Sequence, residues 1–156
     1  VTGIPLEKKG TIDAPIMEHP AKKGSMMVHR NGKPSLTDYE VLEVLGRFAW
    51  MRFQIHTGRT HQIRVHMQHI GNPIACDPLY GDGQPILLSS IKKNYKLSLK
   101  EEEEKPLLGR LALHASQLSF ILPDGKNILL EAPLPKDLHA TLQQLRKAME
   151  KRGKGK

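Results

Sequence analysis

Hydrophobic and polar residues follow different periods along the chain and divide it into strand-like and helix-like segments. Residues 37–46 and 47–57 are rich in β-branched and aromatic side chains and meet at Gly46, which predicts an antiparallel hairpin. Residues 111–135 contain two further strand-like segments around a Pro-Asp-Gly turn, which predicts a second hairpin. Residues 1–35 are rich in Gly, Pro and Lys and predict loops, apart from one short strand near "GTIDAPI".

Two segments have the period of a helix. In residues 60–70, apolar side chains recur at helical spacing and predict a helix of about three turns, with Thr60 as its N-cap. These side chains are Ile63, Met67 and Ile70. Near the C-terminus the spacing is stronger and predicts an amphipathic helix capped by Asp137. Its apolar positions are Leu138, Leu142, Leu145 and Met149.

These elements predict one α+β domain, a mixed and mostly antiparallel sheet flanked by helices. Residues 1–150 would form it, with an insertion at about 82–108 that ends in four glutamates and is expected to be a solvated loop or frayed helix. Residues 151–156 are basic and predict a disordered tail. Because the chain opens on Val-Thr-Gly without a methionine, we expect a fragment of a longer protein.

The chain carries a net positive charge, and this charge favours some classes of binding partner over others. Its net charge is +8 and its pI about 9.7, which favours a polyanion such as RNA, because neutralised phosphates release counterions. No stretch approaches the ~20 apolar residues of a membrane span. A single cysteine, Cys76, excludes an internal disulfide and fits a reducing cytosol. It follows an apolar pair without an adjacent base, so we expect a buried residue and no nucleophile.

Three histidines near the first helix raise the question of a metal. His61 and His66 are five residues apart, about 140° out of phase on a helix. His66 and His69 could converge, but no Glu base accompanies them as in His-Glu-x-x-His. We therefore predict no metal site.

An electrostatic interpretation of the same stretch has more support. A Thr-Gly-Arg turn containing Arg59 leads into the helix, whose free N–H groups attract anions. Arg64 borders the apolar face, where a half-desolvated guanidinium would pair with a carboxylate. Spacing alone leaves open whether Arg64 is such a residue or an ordinary surface arginine.

"TGRTHQIRVHMQHIGNPIACDPLYG" closely resembles the signature of the RluA-type family of RNA pseudouridine synthases. "GTIDAPI", "GKPSLTDYEVLE", "LALHASQLSF" and "EAPLP" resemble other landmarks of that family, in the same order. The resemblance covers nearly the whole chain except the insertion and the tail. It implies isomerisation of uridine to pseudouridine in ribosomal or transfer RNA, in the cytoplasm, without a metal or an organic cofactor, on a base flipped out of the RNA.

The resemblance also assigns residues. The family's catalytic aspartate lies in a His-Arg-Leu-Asp segment, and the second arginine of the Arg-Thr-His-Gln-Ile-Arg run, here Arg64, pairs with it. No His-Arg-Leu-Asp occurs in this chain, and Val1-Thr2-Gly3 resembles the family position just after the Lys-x-Tyr segment, so the aspartate and the tyrosine are expected outside this chain. We do not expect Asp13 or Asp77 to replace the aspartate, since both suit turn or loop hydrogen bonds. The chain is thus expected to be the C-terminal portion of a catalytic domain, to need the N-terminal half of that domain as a partner, and to be inactive alone.

The remaining candidates concern RNA binding. Basic residues around the site would contact phosphates, which position RNA without reading its sequence. They are Arg59, His61, Lys22, Lys23 and Arg30. For His61 a hydrogen bond at the helix start is an equally good interpretation, and His114 is expected to be a packed strand residue. The competing function is a non-enzymatic basic RNA-binding module.

Overall fold

A computed structural model describes residues 1–92, 95 and 103–153 of the chain. Within these residues there are seven strands and two helices; five strands precede the first helix and two lie between the helices. They are β1 Lys9–Asp13, β2 Ile16–Glu18, β3 Met26–Val28, β4 Leu36–Leu45, β5 Phe48–Ile55, α1 Gln62–His69, β6 Gln117–Ile121, β7 Asn127–Glu131 and α2 Lys136–Gly153.

The central sheet has the antiparallel order β1-β4-β5. The hairpin predicted around Gly46 is confirmed as β4 and β5, and Gly46 adopts φ 68°, a conformation that glycine reaches without steric cost. One face of this sheet packs on α1 and on the residues that follow it, so that Met51, Met67 and Ile74 belong to one buried cluster. The sheet therefore holds α1 and the turn after it in place.

A second, smaller sheet pairs β2 with β3. The sequence predicted only a loop where β3 lies, and that prediction is wrong, because a three-residue strand is too short to show a period. Ile16 of β2 packs with Val65 of α1 and Tyr80 in a buried cluster. Gly32 passes so close to Ile16 that an added Cβ would lie 2.6 Å from the carbonyl carbon of Ile16. The β2–β3 ribbon is thus attached to the N-terminal half of α1.

The second predicted hairpin is confirmed as β6 and β7, with a turn in which the Leu122 N–H donates to the Lys126 carbonyl. The C-terminal helix is also confirmed, and its side chains Leu138, Leu142 and Leu145 are buried. It begins at Lys136, so Asp137 lies in its first turn. Because α2 continues to Gly153, it includes the first residues of the segment predicted to be disordered.

The insertion joins the core at both of its ends. Ile86 pairs with Leu108 in an isolated bridge, and both side chains are buried with Ile91. Glu101 and Glu102 lie outside the described residues, and Glu104 accepts a hydrogen bond from Ser89 N–H at 2.8 Å. The prediction of a loop or frayed helix for the acidic run falls largely on residues that are not described.

The α+β class is confirmed, with one difference in the sheet. The described strands form three separate antiparallel sheets instead of one mixed sheet. Among the described residues, no helix combines the length and the apolar character that crossing a bilayer requires.

Candidate active site

The Thr-Gly-Arg turn is fixed by the side chain of Gln62. Its Oε1 accepts hydrogen bonds from the Thr57 hydroxyl (2.7 Å) and the Arg59 N–H (3.0 Å). Its Nε2 donates to the Leu36 carbonyl and to the Thr37 hydroxyl. Gln62 is buried, and these four contacts tie the turn between β5 and α1 to the start of β4. The position of Arg59 is therefore set by the sheet.

The helix starts later than the sequence predicted. His61 occupies the N-cap with φ 55° and ψ 21°, in the left-handed region, and no side chain caps the helix. The N-cap prediction for Thr60 is therefore wrong, because the preceding turn already uses Gln62 for its hydrogen bonds. The residues that α1 buries are Gln62, Val65, His66 and Met67. Of the predicted apolar face, Met67 is fully buried, and Ile63 and Ile70 are partly buried against the same cluster.

His66 has a structural role on this buried face. Its Nδ1 lies 2.9 Å from the Thr37 hydroxyl and its Nε2 lies 2.9 Å from the Ala14 carbonyl oxygen. The carbonyl can only accept, so Nε2 donates to it and Nδ1 accepts from Thr37. Burial lowers the pKa of His66, which favours this neutral form. Both ring nitrogens are thus occupied within the protein.

Arg64 forms a two-point ion pair with Asp77. Nε of Arg64 lies 2.8 Å from Oδ2 of Asp77, and Nη2 lies 2.8 Å from Oδ1. The Asp77 side chain is fully buried, whereas 16% of the Arg64 side chain is exposed. Of the two interpretations left open by spacing, the half-desolvated arginine paired with a carboxylate is the one observed. Its partner here is an aspartate of this chain, which the sequence pattern did not predict.

Three donors keep Asp77 ionised. Burial alone would raise its pKa, but the hydrogen bonds from Arg64 and from the N–H groups of Leu79 and Tyr80 outweigh burial and lower the pKa below 3.8. The hydrogen bonds to Asp77 in turn raise the pKa of Arg64. The bonds to Leu79 and Tyr80 are the loop contacts expected for Asp77.

The turn that carries Asp77 is compact. The N–H groups of Gly81 and Gly83 both donate to the Asp77 carbonyl oxygen, at 3.0 and 3.1 Å. A Cβ on Gly81 would lie 3.0 Å from that oxygen, so a larger residue would strain the turn. Cys76, directly before Asp77, is buried and adopts φ 58°. This backbone path turns the carboxylate of Asp77 toward α1.

Tyr80 connects the ion pair to the start of the helix. The Arg64 guanidinium carbon lies 4.8 Å from the centre of the Tyr80 ring, a cation–π contact. The Tyr80 hydroxyl oxygen lies 2.8 Å from Met26 N and 2.8 Å from His61 Nδ1. Tyr80 is only 4% exposed, so one buried ring contacts β3, the helix start and the ion pair.

The candidate RNA-binding residues other than His61 lie in the loops on either side of β3 and in the turn before α1. Lys22 and Lys23 are exposed in the loop between β2 and β3, and Arg30 is exposed in the turn after β3. Arg59 donates from Nε to the Pro34 carbonyl at 3.1 Å. Because Met26 of β3 bonds to Tyr80, the ribbon with these cations is joined to the Arg64 cluster. Contact with RNA remains a prediction for all of them.

Unlike the buried Asp77, three other aspartates of the chain lie on the surface. Asp13 and Asp82 are exposed, and Asp38 is bonded to Thr11 and His56 on the surface of the central sheet. No cluster of three or more metal-ligating side chains occurs in the described part of the chain. His114, expected in a strand, lies just before β6 and contacts the Ala132 carbonyl at 3.1 Å.

Sequence reasoning missed three residues of the site, which are Gln62, Asp77 as the ion-pair partner, and Tyr80. Apart from the contacts within the turns, their hydrogen bonds join residues that are at least 13 positions apart in the sequence. The periodic spacing of apolar residues does not reveal such pairs. The Asp-Pro-x-Tyr-Gly sequence was a visible signal, because a Pro and a Gly around a polar residue mark a tight turn.

Comparisons with known proteins agree with one another. A family profile described as RNA pseudouridylate synthase matches residues 1–69. "Ribosomal large subunit pseudouridine synthase D" of Nitrosomonas europaea is 43% identical over 142 residues, which are 90% of this chain and 38% of that protein. The protein of the same name from Escherichia coli is 37% identical over 142 residues, 90% of this chain and 41% of its own length. The chain thus spans about two-fifths of these relatives.

Solved structures give the same result for the fold. "Human RNA Pseudouridylate Synthase Domain Containing 4" superposes with a TM-score of 0.62 at 27% identity, covering 93% of this chain and 59% of that one. "Human RNA Pseudouridylate Synthase Domain Containing 1" gives a TM-score of 0.60 at 26% identity, covering 93% and 62%. Over nine-tenths of its length the chain thus matches RNA pseudouridine synthases of the RluA type in sequence and in fold.

Proposed function

We propose that the chain is the C-terminal portion of a catalytic domain that isomerises uridine to pseudouridine in RNA, with large-subunit ribosomal RNA as the first substrate to test. The observation that carries the proposal is the half-buried Arg64, held by Asp77 within the segment that resembles the family signature. The names of the relatives support ribosomal RNA, and transfer RNA is the other substrate class implied by the resemblance. The site of action would be the cytoplasm.

Arg64 is suited to hold a second carboxylate. A guanidinium carries five N–H donors, and Asp77 occupies Nε and one hydrogen of Nη2. Within the described residues, Nη1 donates no hydrogen bond. A catalytic aspartate from a His-Arg-Leu-Asp segment outside this chain would meet that free edge. Since burial in a base-binding pocket raises the pKa of a carboxyl, a nearby guanidinium would keep the aspartate ionised for its reaction with the nucleotide.

Asp77 then acts as a support for Arg64. It fixes the plane of the guanidinium from the side away from solvent, because Asp77 itself is fully buried. Removing one partner of a buried ion pair is costly, because the other charge is left without compensation. The cation–π contact with Tyr80 adds a second constraint on the same plane. Arg64 would therefore be oriented before RNA binds.

The basic residues would position the RNA. Lys22, Lys23 and Arg30 are exposed on the ribbon joined to the site, and Arg59 lies in the turn before α1. Such contacts hold the phosphate backbone and do not select a sequence. They would place a flipped uridine beside Arg64.

The hairpin β6–β7 indicates where the rest of the domain would pack. Its apolar side chains are exposed on both faces, for example Leu118 at 58% and Leu129 at 55%. A two-stranded hairpin without a packed face is marginally stable in water. The curated relatives are more than twice as long as the matched region, so they contain additional chain that can cover such a surface. We propose that the N-terminal half of the same domain does so here.

A tritium-release assay on ribosomal and transfer RNA tests the proposal. The 156-residue chain alone is expected to form no pseudouridine, and the chain extended by the coding sequence upstream of Val1 is expected to form it. A His-Arg-Leu-Asp segment in that upstream sequence supports the enzyme. Its absence, with RNA binding but no turnover, favours the non-enzymatic RNA-binding module, for which the net charge of +8 is the supporting observation.

A further inference from the structure

The hydrogen-bond chain through Tyr80 favours one nitrogen of His61 as the carrier of the ring proton. The Met26 N–H can only donate, so the Tyr80 oxygen accepts from it at 2.8 Å. The single hydroxyl hydrogen of Tyr80 is then available for His61 Nδ1, which lies 2.8 Å away. An imidazole that accepts at Nδ1 and is neutral carries its proton on Nε2. Nε2 has no hydrogen-bond partner among the described residues.

The backbone of His61 is held in a costly conformation. Its φ of 55° lies in the left-handed region, which a non-glycine residue occupies at a cost of about 1 kcal/mol or more. The ring stands edge-on to Tyr80, with 5.5 Å between ring centres and 73° between planes. Strain of this kind is retained where the surrounding structure fixes a side chain, and here the half-exposed imidazole is held against Tyr80.

We propose that Tyr80 is a positioning residue that keeps His61 in its neutral, Nε2-protonated form, and that His61 donates a hydrogen bond from Nε2 to an oxygen of the RNA nucleotide bound beside Arg64. This inference rests on the proposed function. It differs from a phosphate contact made by a cation, because the donor is uncharged. The acceptor is either a phosphate oxygen or a uracil carbonyl.

The groups that face His61 agree with a neutral ring. Burial and then the charge of Arg64 lower the pKa of His61 below 6.5, and the more weakly acting Asp77 raises it. From the turn after α1 the ring meets the Tyr80 hydroxyl. β3 contributes only the Met26 N–H behind that hydroxyl. Above pH 6.5 the ring is therefore an uncharged donor.

The first test is the tautomer, which does not depend on RNA. Nitrogen-15 NMR of the imidazoles in the 156-residue chain distinguishes a protonated Nε2 from a protonated Nδ1. We expect His61 with protonated Nε2 at neutral pH, and a loss of this preference in Tyr80→Phe, which keeps the ring but removes the hydroxyl. The exposed His69 should not respond to Tyr80→Phe. A protonated Nδ1 in His61, or no response to Tyr80→Phe, would overturn the proposal.

The second test is RNA affinity, with single-stranded oligouridine as the probe. His61→Asn is the informative variant, since Asn tolerates the left-handed region and its amide oxygen can accept from Tyr80, but it cannot replace the Nε2 donor. Removal of one hydrogen bond predicts about a three- to tenfold weaker affinity. The dependence on salt should stay the same, because no charge is removed.

The outcomes separate the two proposals. If oligouridine does not bind the wild-type protein extended upstream of Val1, the proposed function fails together with the RNA contact of His61. If it binds and His61→Asn binds equally well, only the present inference fails. An abasic ribose-phosphate oligomer of the same length identifies the acceptor. A penalty of His61→Asn that persists there indicates a phosphate oxygen, and a penalty that disappears indicates a uracil carbonyl.

Discussion

Arg64 and Asp77 are joined by two hydrogen bonds of 2.8 Å, and the aspartate end of the pair is fully buried while the arginine end reaches the surface. A side chain that acts on a ligand must be held in place and must also be accessible, and this asymmetry meets both conditions. The buried carboxylate and the Tyr80 ring fix the guanidinium from behind. The remaining donors of Arg64 are left for a ligand or for another carboxylate.

The buried end of this pair should matter strongly for stability. Asp77→Ala leaves Arg64 without its partner and removes the acceptor of two loop N–H groups, so we expect a loss of about 3–5 kcal/mol in the free energy of unfolding. Urea denaturation measures it. Glu43→Ala is the matched control, because Glu43 also pairs with an arginine at two points but on the surface, and about 0–1 kcal/mol is expected. Equal losses in the two variants would contradict a special role for the Asp77 pair.

Stability should also fall in mild acid because of His66. Its pKa in the folded protein lies below 6.5, so the unfolded chain binds a proton first as the pH decreases. The contribution of neutral His66 is therefore complete above pH 6.5 and is lost as the pH falls through the folded pKa. Urea denaturation at a series of pH values measures this slope.

His66→Gln should be less stable at neutral pH and should show a shallower acid slope. His61, whose pKa is also lowered, contributes to the slope that remains. The control His139→Gln changes an exposed histidine on α2 that is not among the groups acting on the pKa of His66, and it should keep the wild-type slope. A slope that His66→Gln leaves intact would show that burial of this imidazole does not control the acid response.

RNA affinity should decrease with salt. Each phosphate that the protein neutralises contributes roughly 0.7 to the slope of log affinity against log salt for a single strand. The double variant Lys22→Ala, Lys23→Ala should lower that slope by one to two such contributions. Lys126→Ala, an exposed lysine in the β6–β7 turn, should leave it unchanged. Filter binding or fluorescence anisotropy at several salt concentrations measures these slopes. An RNA affinity of the wild-type chain that does not change with salt would exclude phosphate contacts.

The sequence predicted the elements that have a clear period. The hairpin at Gly46, the hairpin around the Pro-Asp-Gly turn and the C-terminal helix were all expected, because alternation and helical spacing report which face is buried. β3 has too few residues for a period. The start of α1 was misplaced because the side chain of Gln62 bonds to residues on β4, and no local pattern contains that contact.

The site was predictable in part. Arg64 was identified from its place at the edge of the apolar face, and the structure shows it half desolvated and paired. Its partner was not identified, since Asp77 reaches it through a turn whose shape depends on Gly81 and on a left-handed Cys76. The hydrogen bonds of Tyr80 with His61 and with Met26 join residues that are distant in sequence. Such contacts follow only from the fold.

The central claim is that Arg64 serves the chemistry of pseudouridine formation. Single-turnover formation of pseudouridine in large-subunit ribosomal RNA, by the protein extended upstream of Val1, tests it most directly when wild type is compared with Arg64→Ala and with the surface control Arg52→Ala. The account predicts that Arg64→Ala loses at least about a hundredfold in rate, as expected when an electrostatic interaction at the reacting groups is removed, while RNA affinity changes little. Arg52→Ala should behave as wild type. A rate in Arg64→Ala equal to that of the wild type would contradict the account.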